Sequence, residues 1–349
     1  MRTRAAVLVE LGKPLELADL DIPPLQPGQA LVQLAYSGIC HTQVSEVRGY
    51  RGPDRFLPHC LGHEGSGVVR EVGAGVTRVQ PGDRVVLSWI KGAGGDVPGT
   101  KYTWNGRTVN SGAITTFSDY SIISENRLTL LDAALPFDAA ALLGCAIPTG
   151  LGTVFNTAQV RPGQSVAVFG SGGIGLWAIA GAVLSGASPV IAVDLLPEKL
   201  ELARTLGATY LVNAATESVV ESMLKICPGG VDVAIEASGR PDVMQQAVEA
   251  VRSQGGVAVI AGNARFGETW ALDPRLLNQG KRILGTWGGD NHPERDFPRY
   301  QRLIRSSRLD CGPFLQHRYS LAEINQALDD LAAGRAARPL IALHPDLSP

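Results

Sequence analysis

The run Ser165-Val-Ala-Val-Phe169, followed at once by Gly170-Ser-Gly-Gly-Ile-Gly175, constrains this chain more than any other feature. A short apolar, β-branched run of this kind reads as a strand buried on both faces of a parallel sheet. The three spaced glycines then have separate tasks: Gly170 permits a tight turn, Gly172 lets a pyrophosphate approach the backbone, and Gly175 lets the next helix pack on the strand. Gly173 and Ile174 open that helix, and its free N–H groups are the expected phosphate ligands. Asp194 follows about twenty residues later, at the end of the next apolar run, Val190-Ile-Ala-Val193. Its carboxylate can accept a hydrogen bond from a ribose 2′-hydroxyl and repels a 2′-phosphate, so NAD is expected over NADP.

The pattern around this turn repeats as strand and helix. Helices are expected at 173–185 and 197–206, with Pro197 suited to a first turn, and further strands at 231–235, 256–260 and 282–285. That alternation predicts a doubly wound α/β domain. The first 130 residues differ, with short β-branched runs punctuated by Pro27-Gly28 and Pro81-Gly82. Residues 88–112 hold six glycines, two tryptophans and a tyrosine without a period, and read as a long loop. The terminal segment predicts a helix over 321–333, ended by Gly334, and a strand over 340–343.

Composition removes several classes. A balance of 31 basic against 33 acidic side chains lacks the surplus of a nucleic-acid binder. The five cysteines are scattered and odd in number, which argues against a disulfide framework or a four-cysteine metal site. The apolar start ends at Glu10, too early for a signal peptide, and the apolar window 166–184 carries the glycine turn, so no membrane span is expected. A cytoplasmic protein follows as the expectation.

Three segments place sulfur or imidazole beside glycine: Gly38-Ile-Cys40-His41-Thr42, Gly62-His63-Glu64-Gly65 and Gly144-Cys145 with Thr149-Gly150. Cys40, His63 and Cys145 can form a two-sulfur, one-nitrogen zinc set with an open fourth position. Residue by residue they read as readily as two core cysteines and a satisfied histidine.

Taken together, these segments, the glycine turn, Val193-Asp194 and Glu236-Ala-Ser-Gly239 resemble the zinc-dependent medium-chain alcohol dehydrogenase family over nearly the whole chain. The resemblance implies a GroES-like β domain, residues 1–145 and 287–349, and a Rossmann domain, residues 146–286. It implies zinc on Cys40, His63 and Cys145, with Glu64 just behind the metal and able to exchange with a ligand. Thr42 is implied to bond the substrate oxygen, and His41 and Arg338 to touch the cofactor pyrophosphate. Thr149 is implied to pack against the nicotinamide, and Lys199 to support the ribose beside Asp194. Trp89, Ser111 and Trp287 are placed in the substrate pocket. A homodimer or homotetramer is implied.

The chain also departs from the family. Members often bind a second, structural zinc through four close cysteines, but residues 88–112 contain none, so one zinc per chain is expected. Gln43 and Ser45 stand where many members have Asp and His. Gln43 can accept the hydrogen bond that orients the zinc histidine, without charge, and Ser45 ends the usual proton relay. The expected activity is oxidation of an alcohol with transfer of a hydride to NAD, zinc acting as Lewis acid. Lys91, Tyr102, Trp104, Asn105, Arg107 and Asn110 lean the substrate toward a polyol or sugar-like alcohol, unless the loop only replaces the missing metal lobe or makes an oligomer contact. The alternatives are a zinc reductase of conjugated double bonds, a glutathione-adduct dehydrogenase, and a non-catalytic, cofactor-binding structural or regulatory protein.

Overall fold

The structure, a computed structural model, describes residues 1–348. In chain order the strands are β1 (Arg2–Leu8), β2 (Glu16–Asp21), β3 (Gln29–Gly38), β4 (His59–Cys60), β5 (Glu64–Val72), β6 (Arg84–Ser88), β7 (Lys101–Trp104), β8 (Arg107–Asn110), β9 (Tyr120–Ser124) and β10 (Leu128–Leu130). They continue as β11 (Val166–Phe169), β12 (Val190–Asp194), β13 (Tyr210–Asn213), β14 (Val233–Glu236), β15 (Val257–Ile260), β16 (Arg282–Gly285), β17 (Arg318–Ser320) and β18 (Leu340–Ala342). Two compact units result: Met1–Cys145 with the chain from His292 onward, and Ala146–Asn291. The return to the first unit falls at His292, where the sequence reading placed it at 287.

In the first unit, β1, β2, β7, β8 and β4 close a small barrel. Strand periodicity explains how β1 serves two cores: Ala5 and Val7 pack with Leu20, Tyr102 and Val109, while Ala6 and Leu8 pack with Ile39, Phe117 and Ile341. The larger sheet runs β10-β6-β5-β3-β18-β17, and β9 also pairs with β3. The helix His41–Val47 leaves the end of β3, and the helix Ile324–Ala332 packs in the core shared with Ile39 and Val44.

Residues 88–112 are not one irregular loop. They contain the hairpin of β7 and β8, turned by Asn105-Gly106 with both residues at positive φ, 48° and 78°. That dipeptide is the favoured two-residue hairpin turn, because Asn and Gly tolerate the left-handed backbone that matches strand twist. The preceding stretch is fixed by side chains. The Glu125 carboxylate accepts from Gly95 N–H at 2.9 Å and Thr77 N–H at 3.0 Å, and Glu294 accepts from Ala93 N–H.

The second unit is a six-stranded parallel sheet in the order β13-β12-β11-β14-β15-β16. Sequence order reverses between β11 and β14, so the crevice beyond their carboxyl ends is the ligand position for such a sheet. The observed helices Gly173–Leu184 and Pro197–Thr205 end one residue short of the expected limits. Among the described residues, no single helix is long and apolar enough to cross a membrane.

Candidate active site

Each of Cys40, His63 and Cys145 stands next to or near a glycine that nothing larger could replace. At Gly38 and Gly144 a Cβ would collide with Glu64, and at Gly62, which has φ +93°, with Thr116 and Phe117. These close approaches let the end of β3, the start of β5 and the Gly144–Cys145 turn converge. The ligand atoms of Cys40, His63 and Cys145 all lie within 4.8 Å of one another, the two cysteines buried. The Nε2 atom of His63 is buried without a hydrogen-bond partner. A buried ring nitrogen aimed beside two sulfurs, with nothing to satisfy it, is the donor arrangement a zinc ion completes.

The electrostatics agree. The Cys145 thiol donates toward the Cys40 sulfur and holds Cys40 well below the ordinary thiol range against the opposing effect of burial, with Arg338 and His63 adding to it. Cys145 is correspondingly pushed well above that range. Behind the cluster, Arg338 Nε donates to Glu64 Oε1 at 2.8 Å, and Nη2 lies 2.5 Å from the same oxygen, both side chains buried. Glu64 therefore stands outside the converging ligand atoms, its Oε1 engaged by Arg338. For Arg338, burial opposes the charge, but Glu64 and then the two cysteine sulfurs outweigh it and raise its pKa.

Other predicted residues divide. Thr42 sits on the first turn after Cys40, with its Oγ1 3.7 Å from the Cys40 sulfur. Trp89 faces the ligand histidine, with ring centroids 6.3 Å apart and planes tilted by 57°. Ser111 is buried, and its hydroxyl is spent on Gly112 O at 2.9 Å. His41 is exposed at the start of its helix. Gln43 Oε1 accepts from Cys40 N–H at 2.9 Å, and Nε2 lies 2.7 Å from His63 Nδ1. The expected pair with the zinc histidine is present, but the amide turns its NH₂ to the ring, where the sequence reading had its carbonyl. Cys40 N–H claims the carbonyl.

Glu46 went unnoticed in the sequence. It lies one helical turn beyond Thr42, a spacing that shares a face. Burial raises its carboxyl pKa, while His63 and Arg51 act in the opposite sense. His59 is a second such residue: its Nε2 lies 2.8 Å from Asp54 Oδ2, and its Nδ1 lies 3.0 Å from Cys60 O.

Residues 26–133 match the alcohol dehydrogenase GroES-like domain family, and residues 173–306 the zinc-binding dehydrogenase family. An S-(hydroxymethyl)glutathione dehydrogenase of Synechocystis is 35% identical over 368 aligned positions, covering 98% of this chain and all of that protein. The chain belongs to the zinc-dependent alcohol dehydrogenase family. An alcohol dehydrogenase zinc-binding domain protein of Burkholderia ambifaria superposes with a TM-score of 0.90 at 31% identity, covering 98% of this chain and 99% of that one. Benzyl alcohol dehydrogenase of Acinetobacter calcoaceticus follows at 0.89, with the same identity and coverage. The dehydrogenase is an NAD-dependent oxidoreductase acting on CH–OH groups.

The second unit of the dehydrogenase shows what its glycine turn can hold. Gly170 has φ +92°, a Cβ on Gly172 would meet nothing within 4 Å, and one on Gly175 would collide with Gly170 O. Gly173 and Ile174 begin the helix. The hydroxyls of Thr149 and Ser171 are buried without partners. An open glycine at a helix N-terminus fits a pyrophosphate. Asp194 ends β12, and its two oxygens accept from Ser171 N–H at 2.7 Å and Leu196 N–H at 3.0 Å. A carboxylate has further lone pairs for a ribose. Lys199 lies half-buried in the next helix, and Trp287 is 76% exposed.

Proposed function

We propose that this dehydrogenase oxidises its alcohol at a single zinc held by Cys40, His63 and Cys145, with NAD bound on the Gly170–Gly175 turn and Asp194. The observation that carries the reading is the convergence of two buried sulfurs on a buried, unsatisfied His63 Nε2. When bound, zinc supplies Lewis-acid polarisation of the alcohol oxygen and NAD accepts the hydride. Thr42 Oγ1 takes the hydroxyl proton and passes it outward, since Ser45 does not titrate near neutral pH. Gly172 would admit the pyrophosphate, Thr149 would pack against the nicotinamide, Lys199 would support the ribose, and His41 and Arg338 would serve the phosphates. Trp89 walls the substrate side. The test is an oxidation screen with NAD over primary, secondary, aromatic and polyhydroxylated alcohols, with enone reduction beside it, on protein of measured metal content. Turnover of an alcohol supports the reading; a zinc-free protein that turns over nothing replaces it with a non-catalytic scaffold.

Three of the six loop groups behind the polyol lean are engaged within the protein itself. Lys91 pairs with Asp96 at 2.5 Å, Asn110 donates to Phe56 O at 2.7 Å, and Tyr102 Oη accepts from Ile122 N–H at 2.9 Å. These groups serve the fold. The full-length similarity to the Synechocystis enzyme favours a second reading, in which the alcohol is S-(hydroxymethyl)glutathione. Formaldehyde with glutathione, compared with benzyl alcohol and sorbitol, decides between the readings by the ratio of kcat/KM.

One zinc per chain is supported by residues 88–112, which lack cysteine and are stapled by carboxylates. Burial raises Glu125, but N–H bonds from Gly95, Thr77 and Arg78 outweigh it and hold the carboxyl below its usual range. Such a carboxylate stabilises the fold above its unfolded pKa, and that stability is lost as pH falls through the lower folded value. Glu125→Gln is expected to cost about 1–3 kcal/mol near pH 7, by turning a donor toward a backbone N–H. Thermal melts check this, and an unchanged Tm refutes the staple.

Asp194→Ala is expected to weaken NAD roughly ten- to hundredfold and to narrow the preference over NADP, because charged hydrogen bonds to the ribose are lost. Titration of both cofactors measures it; an unchanged ratio refutes the ribose assignment. Self-association is supported by β16, an edge strand, with Leu277 and Trp287 among the exposed apolar side chains. Light scattering tests it. A cytoplasmic location accords with five free cysteines.

A further inference from the structure

Glu236 is fully buried at the carboxyl end of β14, directly beside Phe169 of β11, where strand order reverses. Its Oε1 accepts three hydrogen bonds, from Ser238 N–H at 2.7 Å, Ser238 Oγ at 2.5 Å and Gly239 N–H at 2.9 Å. Its backbone oxygen accepts from Ala261 N–H at 2.8 Å and Gly262 N–H at 3.0 Å. One residue thus ties down the turns that follow β14 and β15. The first of these turns is the surface on which Gly170 rests: a Cβ on Gly170 would lie 3.0 Å from Ser238 N and 3.2 Å from Ala237 C. Gly170 O in turn abuts Gly175 at the helix start. A chain of close contacts therefore runs from the Glu236 carboxyl to the phosphate-binding turn.

We infer that Glu236 is a positioning residue for the dinucleotide, holding the 237–239 turn against Gly170 and so setting the floor of the crevice between β11 and β14. The inference rests on the NAD reading above. Glu236 does not touch the dinucleotide; it acts through Ser238, Gly239 and Gly170. The group works as a hydrogen-bond acceptor through Oε1. Its Oε2 is buried against Gly262, and burial raises its pKa against the hydrogen bonds from Ser238, Gly239 and Gly262. Glutamine keeps the acceptor oxygen that Ser238 and Gly239 use, so the amide should replace it. Asp194 lies at the end of β12, on the opposite side of β11 from β14. Loss of Glu236 should consequently spare the adenosine side and harm the rest of the dinucleotide.

The experiment titrates NAD and AMP into the zinc-loaded full chain, as wild type, Glu236→Ala, Glu236→Gln and Ser238→Ala, with a thermal melt of each. Glu236→Ala should raise the NAD Kd at least about tenfold, the range for losing a charged or multiply used acceptor, and leave the AMP Kd within about twofold. Glu236→Gln should restore NAD binding to within about threefold of wild type, and Ser238→Ala should weaken NAD about threefold, within the range for losing one neutral hydrogen bond. A merely structural residue would lower Tm and shift AMP and NAD together; that result overturns the inference. So does NAD affinity in Glu236→Ala equal to wild type, or a Glu236→Gln variant as weak as Glu236→Ala. If Glu236→Ala does not fold, the Gln and Ser238 variants decide by the same comparison. A wild-type chain that binds AMP but not NAD removes the cofactor reading itself.

Discussion

Cys145→Ala is expected to abolish turnover, by about three orders of magnitude, while NAD affinity stays within about twofold of wild type. The reasoning starts from the ligand count. Cys40 and His63 remain, but two donors do not hold the ion in a site built for three, and Lewis-acid stabilisation worth several kcal/mol goes with it. NAD binding should survive because the glycine turn and Asp194 belong to the other compact unit. Cys145 is buried, so removing its sulfur leaves a small void and at most a modest loss of stability. Metal analysis, kcat and an NAD titration on one preparation check all three parts. Near-normal turnover in a zinc-free variant would remove the metal from the mechanism.

What was legible in the sequence depended on how local the physics is. The roles of Gly170, Gly172 and Gly175 follow from backbone conformation within six residues, and the structure shows one at positive φ, one open and one closely packed. Five of the six parallel strands were readable from unbroken apolar runs, to within one or two residues, while β13 was missed. The metal set was not readable from spacing. Cys40, His63 and Cys145 meet because Gly38, Gly62 and Gly144 permit close approach, and residue types alone left the set equally readable as core cysteines and a satisfied histidine. The Glu64–Arg338 pair spans 274 residues, and no periodicity encodes it. The β7–β8 hairpin was a different failure: Asn105-Gly106 was a local signal, hidden in a glycine-rich segment read as loop. Tyr102 and Asn110, read there as substrate-facing, bond the protein's own backbone.

Gln43→Glu is expected to slow zinc release to a chelator by about tenfold and to lower kcat a few-fold. The argument turns on one amide between two donors. Cys40 N–H needs an acceptor, and Gln43 Oε1 supplies it, so the amide NH₂ faces His63 Nδ1. A histidine that gives its Nε2 lone pair to a metal carries its proton on Nδ1. The metal-bound ring therefore sets N–H against N–H, unless the single amide oxygen serves both Cys40 and His63. Glutamate has the same length and two acceptor oxygens, one for each donor. It also makes the imidazole a stronger ligand, the direction in which partners behind a metal ligand change affinity by about ten- to a hundredfold. A stronger ligand neutralises more of the ion's charge, which is why turnover should fall as affinity rises. Gln43 is buried, so in the zinc-free protein the new carboxylate is poorly solvated and the zinc-free form melts lower. The gap in Tm between zinc-loaded and zinc-free protein should therefore widen. Metal retention no better than wild type, with an unchanged gap, would show that the amide does not limit how this site holds its ion.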